Sequence, residues 1–288
     1  MTTPALSFEF FPPQNLQASF RLWDTVQVLA PLAPRFVSVT YGAGGTTRDL
    51  TQDAVTTLHK SSGLNVAAHL TCVNASRAET LQIARDFAKA GVSEIVALRG
   101  DPPKDAPHFT PHPDGFANSC ELISALADTG DFTIRVGAYP EKHPEAQNAA
   151  ADIDWLKAKI DAGAQEALTQ FFFEPETFLR FRDACVKAGI TAPIIPGILP
   201  IENWKGVRTF AQRCGTSVPD WLNDAFSKAA RDGREDLLAT AHCTELCSDL
   251  LDEGVDALHF YTLNRPELTR DVCFALGVAP DVTLQNVA

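Results

Sequence analysis

Ser7-Phe8-Glu9-Phe10-Phe11-Pro12-Pro13 is the stretch on which the reading of this chain turns. The apolar run Leu6–Phe11 predicts a strand, ended by two prolines that cannot continue a hydrogen-bonded ladder. Side chains alternate along a strand, so Phe8 and Phe10 share one face while Ser7, Glu9 and Phe11 share the other. A strand this apolar on both faces belongs inside a parallel sheet. Glu9 then sits where an unpaired charge is costly. Two readings stand side by side. Either an Arg or Lys pairs with it in a structural ion pair, or burial raises its pKa until it can act as a general acid near neutral pH.

Outward from this strand, the glycines set a rhythm. Gly63, Gly91, Gly130, Gly163, Gly189 and Gly254 each close a helical pattern and precede an apolar, β-branched run. They are spaced 26 to 39 residues apart until a final interval of 65. Those are the sizes of βα units, the last one enlarged. Strands are predicted over Leu6–Phe11, Phe36–Tyr41, Val66–Cys72, Glu94–Leu98, Thr133–Tyr139, Ala167–Phe173, Ala192–Ile195 and Ala257–Leu263. The clearest helix runs from Ser76 to Ala90, opened by a capping box of Ser76 and Glu79. Three helices, around Glu202–Cys214, Pro219–Ala230 and Glu235–Leu251, fill the long interval. Eight strands alternating with helices predict an α/β fold of the (β/α)8 TIM barrel type, with a doubly wound open sheet as the alternative. No linker interrupts the series, so residues 1–288 are expected to form a single catalytic barrel domain.

Composition narrows the function. With 45% hydrophobic and 21% charged residues, the 288-residue chain reads as a globular protein. A net charge of −12 argues against nucleic acid and anionic membrane surfaces as partners. The Met1-Thr-Thr-Pro start lacks the pattern of a secretory signal, so the cytoplasm is the expected location. Seven scattered cysteines do not form a disulfide pattern. His242, Cys243 and Cys247 read as one helix face rather than a metal site, and no metal is expected.

In a barrel, function gathers where strands end. Strand two runs into Thr40-Tyr41-Gly42-Ala43-Gly44-Gly45, a glycine-rich turn without the spacing of a dinucleotide fingerprint. Strand three carries His69 and Thr71 on one face. Strand four ends in Arg99-Gly100-Asp101, where a structural salt bridge is an equal reading. Strand five ends in Tyr139-Pro140-Glu141-Lys142-His143, strand six places Gln170 among phenylalanines, and strand eight leads through His259-Phe260-Tyr261 to Arg265. Packing alone does not call for six polar strand ends in one barrel.

The words SFEFFPP (7–13), FVSVTYGAGG (36–45), AAHLTC (67–72), ALRGDPP (97–103), AYPEKHPEA (138–146), LTQFFFEPETFLRFRDAC (168–185), IIPGILP (194–200) and HFYTLNRPEL (259–268) occur in this order. In them the chain resembles the methylenetetrahydrofolate reductases of the short bacterial type. The resemblance implies a (β/α)8 barrel with FAD that reduces 5,10-methylenetetrahydrofolate to 5-methyltetrahydrofolate using NADH or NADPH. It implies a ping-pong sequence in which nicotinamide and folate use one cleft in turn, a homo-oligomer, and no counterpart of the eukaryotic regulatory domain. Residue by residue, it makes Glu9 the proton donor and Asp101 the acid that touches both flavin and folate. It places Thr40, Tyr41, Ala43, His69, Leu98, Arg99, Gly100, Tyr139, His143, Ala146, Asp152 and Lys159 around the cofactor. Gln170, Phe210 and Arg265 fall to the substrates. The chain departs from the family at Gly206, where a glutamine contacts folate, and at Trp155 and Ala158 in the flavin-binding helix.

The chemistry expected from that set divides two carboxyls. Glu9, among phenylalanines, is expected to stay protonated, and Asp101, beside Arg99, to stay ionised and stabilise an iminium cation. Two alternatives come from other classes. A flavin-free barrel lyase would use a Schiff-base lysine or a metal, yet no predicted strand carries a lysine. A folate-binding subunit that takes its electrons from a partner protein remains open.

Overall fold

The computed structural model describes residues 3–42, 48–102 and 108–281. Eight parallel strands close into one barrel in sequential order: β1 (Ala5–Phe10), β2 (Phe36–Val39), β3 (Val66–Thr71), β4 (Glu94–Leu98), β5 (Thr133–Ala138), β6 (Glu166–Phe171), β7 (Ile194–Ile198) and β8 (Ala257–Tyr261). The strand–helix alternation thus yields the closed barrel and not the open sheet. Helices follow the strands: α1 (Leu16–Leu29), α2 (Arg48–Ser62), α3 (Arg77–Lys89), α4 (Ser119–Ala127), α5 (Ala149–Asp161) and α6 (Pro175–Lys187) after the first six. Three more, α7 (Trp204–Cys214), α8 (Asp220–Asp232) and α9 (Glu235–Asp252), fill the long interval before β8, and α10 (Pro266–Ala275) follows it. The Ser76–Glu79 capping box opens α3 as expected, and the six rhythm glycines all have positive φ.

The inward faces of the strands stack in layers. At the N-terminal end Arg135, buried, hydrogen-bonds Glu94 and Glu166, and its guanidinium lies 3.7 Å from the Phe36 ring centroid. Arg35 pairs with Glu166 from outside. Phe36, Ala67, Val96, Leu168, Ile195 and Ala257 form an apolar plug above them. The plug makes the barrel a packed core rather than a pore. The plug separates that charged cluster from a second set of polar groups at the C-terminal mouth. Phe8 and Phe10 point the other way, fully buried against the helices.

Strand ends differ from expectation in two ways. Strands one, two, three, five, six and eight stop one or two residues early, because at the mouth the chains leave the ladder for loops. Strand seven instead continues through Pro196, a residue that cannot donate to a ladder. A register irregularity between Leu168 and Phe171 of β6 makes this possible. There the Thr169 hydroxyl accepts the Gly197 N–H at 2.9 Å. A Cβ on Gly197 would stand 2.0 Å from the Thr169 carbonyl oxygen and 2.6 Å from the Tyr261 ring, so glycine is required.

Candidate active site

Pairing places five polar side chains at the centre of the mouth. Ser7 of β1 lies opposite His259 of β8, and Glu9 lies between Ser38 of β2 and Tyr261 of β8. The Glu9 carboxylate oxygen Oε2 sits 3.2 Å from His69 Nε2 and 3.7 Å from His259 Nε2, and accepts from the Ser38 hydroxyl at 3.4 Å. The two imidazole contacts have the reach of charge pairs without hydrogen-bond alignment. His259 is fully buried, bonded through Nδ1 to the Ser7 hydroxyl at 2.8 Å and stacked on Phe36.

These partners correct both readings of Glu9. No Arg or Lys pairs with it among the described residues, and its carboxyl does not rise. Burial pushes the Glu9 carboxyl up, but the two nearby imidazoles outweigh burial and bring it to about 2. Burial lowers His259 against the pull of Glu9. The Glu9 carboxylate and the His259 imidazole therefore compete for protons within one cluster.

The backbone around Glu9 is held from β8. Thr262 donates its hydroxyl to the Glu9 carbonyl at 2.7 Å, and Asn264 bonds both the N–H and the C=O of Phe11, at 2.9 and 3.0 Å. Tyr261 donates to the Thr169 carbonyl at 2.6 Å.

A second group lines the β4–β5 side. Gly100 has φ +88, and a Cβ there would press within 2.9–3.0 Å of Val73 and Thr71, so glycine lets the β4 exit lie against the β3 exit. Leu98, at the C-terminal end of β4, packs on the apolar plug from the mouth side. Arg99 makes two hydrogen bonds to Glu145, which ties this loop to the one after β5. The Arg99–Asp101 salt bridge, one of the two readings of this turn, thus gives way to the Glu145 pair. The side chain of Asp101 is exposed, close enough only to add to the charge field that holds Arg99 protonated after Glu145. Tyr139 meets His143 edge-on at 4.6 Å, and burial, with Asp101 and Asp152 adding, pushes its phenol up to about 12. The His143 N–H donates to Asp152 in the first turn of α5 at 2.7 Å, and the Ala146 N–H donates to the His143 carbonyl. Lys159, buried, donates to the Gly137 carbonyl at 2.8 Å, and burial lowers its pKa to about 8.

Thr40 accepts from the Thr51 hydroxyl through its carbonyl, and the Tyr41 hydroxyl accepts from Arg48. Ala43 lies outside the described residues. Gln170, at the end of β6, accepts from the Phe171 N–H, and Phe210 of α7 stacks on Phe171 with centroids 5.3 Å apart. Arg265 pairs with Glu202 at 3.1 Å. Gly206 sits in the first turn of α7, where its N–H is capped by Asn203, and Trp155 is exposed on α5. The sequence reading missed His259 and Ser7 as partners of Glu9. The period of two on β1 and β8 carries that signal, since it points Ser7, Glu9, His259 and Tyr261 into one lumen. Cys243 and Cys247 are buried on α9, as the helix-face reading expects.

Three buried polar atoms at this mouth, Thr71 Oγ1, His69 Nε2 and His259 Nε2, have no hydrogen-bond partner, and the two imidazole nitrogens face the Glu9 carboxylate. Buried polar atoms without partners are rare and point to a missing ligand. Together with the buried Lys159 cation they could hold a planar, hydrogen-bonding heterocycle and an anionic group.

Comparison with known proteins agrees with this geometry. The sequence profile described as "Methylenetetrahydrofolate reductase" matches residues 2–277. A 5,10-methylenetetrahydrofolate reductase of Pectobacterium carotovorum is 46% identical, covering 96% of this chain and 91% of that protein. That of Escherichia coli K12 is 44% identical with the same coverage. Among solved structures, a protein from Clostridium thermocellum, whose description says that it binds two copies of 5-methyl-5,6,7,8-tetrahydrofolic acid, aligns with TM-score 0.59 at 13% identity. The alignment covers 96% of this chain and 95% of that one, and is a likeness of fold. With a family profile spanning almost the whole barrel and relatives this similar along its full length, the chain belongs to the methylenetetrahydrofolate reductase family.

Proposed function

We propose that the chain reduces 5,10-methylenetetrahydrofolate to 5-methyltetrahydrofolate, with FAD as bound cofactor and NADH or NADPH as electron donor, the two substrates using one cleft in turn. The observation that carries this reading is Glu9, a carboxylate facing the C-terminal mouth of the barrel within reach of His69 and His259. FAD, when bound, would take up a hydride from the nicotinamide and supply one to the folate.

The chain's own residues do the rest. Thr40, Tyr41, Ala43, Leu98, Arg99 and Gly100 would hold the cofactor on one side of the mouth. His69, Tyr139, His143, Ala146, Asp152 and Lys159 would complete the cradle. The unpartnered Thr71 Oγ1 suits a polar ring edge, and the buried Lys159 suits an anion. Gln170 and Phe210 would orient the substrate, with Arg265 at its outer end.

The methylene bridge of the substrate opens when the C–N10 bond breaks, leaving an iminium at N5 and a proton to be delivered to N10. The Glu9–His69–His259 cluster would deliver it. Glu9 alone, at about 2, is a poor acid at neutral pH, so the donated proton belongs to the cluster rather than to the carboxyl. Covering the mouth with substrate strengthens burial, which already pushes the carboxyl up. Asp101 would place a negative charge near the iminium as it forms.

Purified protein should be yellow, or become yellow with added FAD. NADH should bleach it and methylenetetrahydrofolate should restore the colour. Protein that cannot be reconstituted with FAD overturns the cofactor reading. Bleaching by a reduced partner protein but not by NADH or NADPH would favour a subunit that depends on a partner for electrons. The family resemblance also supports a homo-oligomer acting in the cytoplasm. No described helix is long and apolar enough to cross a membrane.

A further inference from the structure

Lys142, in the loop after β5, has φ +100, a left-handed backbone that strains most residues other than glycine. Its N–H closes a turn on the Tyr139 carbonyl at 3.2 Å. Glycine would adopt that backbone without steric cost, so a lysine there points to something its side chain does. The side chain turns back on its own loop. Its ammonium donates to the carbonyls of Ala146 at 2.8 Å, His143 at 3.2 Å and Pro144 at 3.4 Å. An ammonium has three donors, and these three carbonyls engage them all. No carboxylate pairs with Lys142 among the described residues, so peptide dipoles hold the cation. The loop gathered in this way carries residues assigned above to the cofactor. The His143 carbonyl also accepts from the Ala146 N–H, and the His143 N–H donates to Asp152. Outside it, Glu141 accepts from the Ser217 N–H at 3.0 Å, which ties the loop to the residues after α7.

Carbonyl oxygens turned toward one point repel one another, and the left-handed residue adds strain to the same turn. A cation at their meeting point offsets both. From this convergence we propose that Lys142 is a positioning residue, whose ammonium builds the His143–Ala146 side of the cofactor cradle before the cofactor binds. The inference rests on the FAD reading above. With its three donors engaged, Lys142 does not itself touch the cofactor, and it acts through the peptides of His143 and Ala146. A loop already in its bound shape spares the ligand the ordering entropy that a loose loop would exact.

The test measures FAD affinity by the change in flavin fluorescence, and amide hydrogen exchange in the FAD-free protein. Lys142→Met keeps the stem and removes the charge. It should weaken FAD binding roughly three- to thirtyfold, as for hydrogen bonds to a charged group in a half-exposed setting. In the FAD-free protein it should also speed exchange of the Glu145 and Ala146 amides, both of which are bonded to His143. Lys142→Gly relieves the backbone and loses the ammonium, so it should melt no lower than Lys142→Met and still bind FAD weakly. Propylammonium should restore part of the affinity of Lys142→Gly, whereas tetramethylammonium, which has no N–H to donate, should not. Wild-type affinity in either variant overturns the proposal, as do equal effects of the two added cations. Weakened binding with unchanged amide exchange would make Lys142 a direct ligand of the cofactor and also overturn it. Failure of the FAD reading looks different, since wild type and variants alike would then bind no FAD while the difference in exchange remained.

Discussion

Oε2 of Glu9 lies 3.2 Å from Nε2 of His69, two strands round the barrel, and this contact joins the β1 carboxylate to the wall of the site. A carboxylate among phenylalanines would be neutral if nothing faced it. Here an imidazole from β3 and another from β8 converge on it, while Ser7 holds the second imidazole through its other nitrogen. The apolar plug beneath keeps these groups at the mouth, where a substrate can cover them.

The position of that carboxylate depends on Asn264. Its amide bonds both backbone groups of Phe11, and its own φ is +53, a conformation Asn tolerates better than most residues. Asn264→Ala should cost about 2–4 kcal/mol through the lost bonds and the left-handed backbone. Asn264→Gly should recover only the backbone part. Denaturant melts of the two variants measure the split, and equal stability of Asn264→Ala and wild type would show that β8 does not hold the β1 exit.

Phe210 stacks on Phe171 yet remains 36% exposed, so one face of its ring is free for a ligand. Stacked aromatic pairs contribute about 0.5–1.5 kcal/mol, and Phe210→Ala should raise the KM for both NADH and methylenetetrahydrofolate roughly two- to tenfold. Initial-rate plots of the wild type should be parallel, as for two ligands using one cleft in turn. Intersecting lines would require both ligands bound together.

How much of this was legible varies from residue to residue, for physical reasons. Alternation alone put Glu9 inside the barrel, because an even period leaves a strand residue only two faces. The low pKa of Glu9 was not legible. Its sign depends on His69 and His259, which lie 60 and 250 positions away and reach it only through barrel closure. The same holds for Arg99, whose partner Glu145 comes from the next loop rather than from the neighbouring Asp101. Strand seven ran past Pro196 against its local signal because a Thr169 side chain, not a backbone carbonyl, receives the next N–H. Local chemistry was readable, and partners brought from distant strands were not.

Asp101 stands at the β4 exit with its carboxylate exposed and without the Arg99 salt bridge. Asp101→Asn keeps the shape and removes the charge. Reoxidation of the reduced enzyme by methylenetetrahydrofolate should fall about tenfold or more, a loss of at least 1.4 kcal/mol in transition-state stabilisation. Reduction by NADH should fall less. The flavin potential should rise, since a nearby negative charge opposes an anionic reduced flavin. An unchanged potential, read by dye equilibration, would place Asp101 away from the cofactor.

Glu9→Gln keeps size and hydrogen bonding but cannot carry a proton. Reduction by NADH needs no acid from the protein, so that half-reaction should be little changed. Ring opening of the folate needs one, and reoxidation by methylenetetrahydrofolate should slow by ~10²–10⁴-fold, the usual worth of general acid catalysis. Stability should change in a way that pH reveals. The Glu9 carboxyl at about 2 lies below the ordinary 4.5, so its pairing stabilises the fold above pH 4.5 and is lost as pH falls toward 2. That difference corresponds to about 3 kcal/mol. Glu9→Gln should therefore melt several degrees lower at pH 7, with the gap to wild type narrowing as the medium is acidified below 4.5. Stopped-flow measurement of each half-reaction beside melts at several pH values reads all of this. A variant that loses both half-reactions together, in step with its stability, would leave Glu9 as a structural partner of His69 and not the source of the proton.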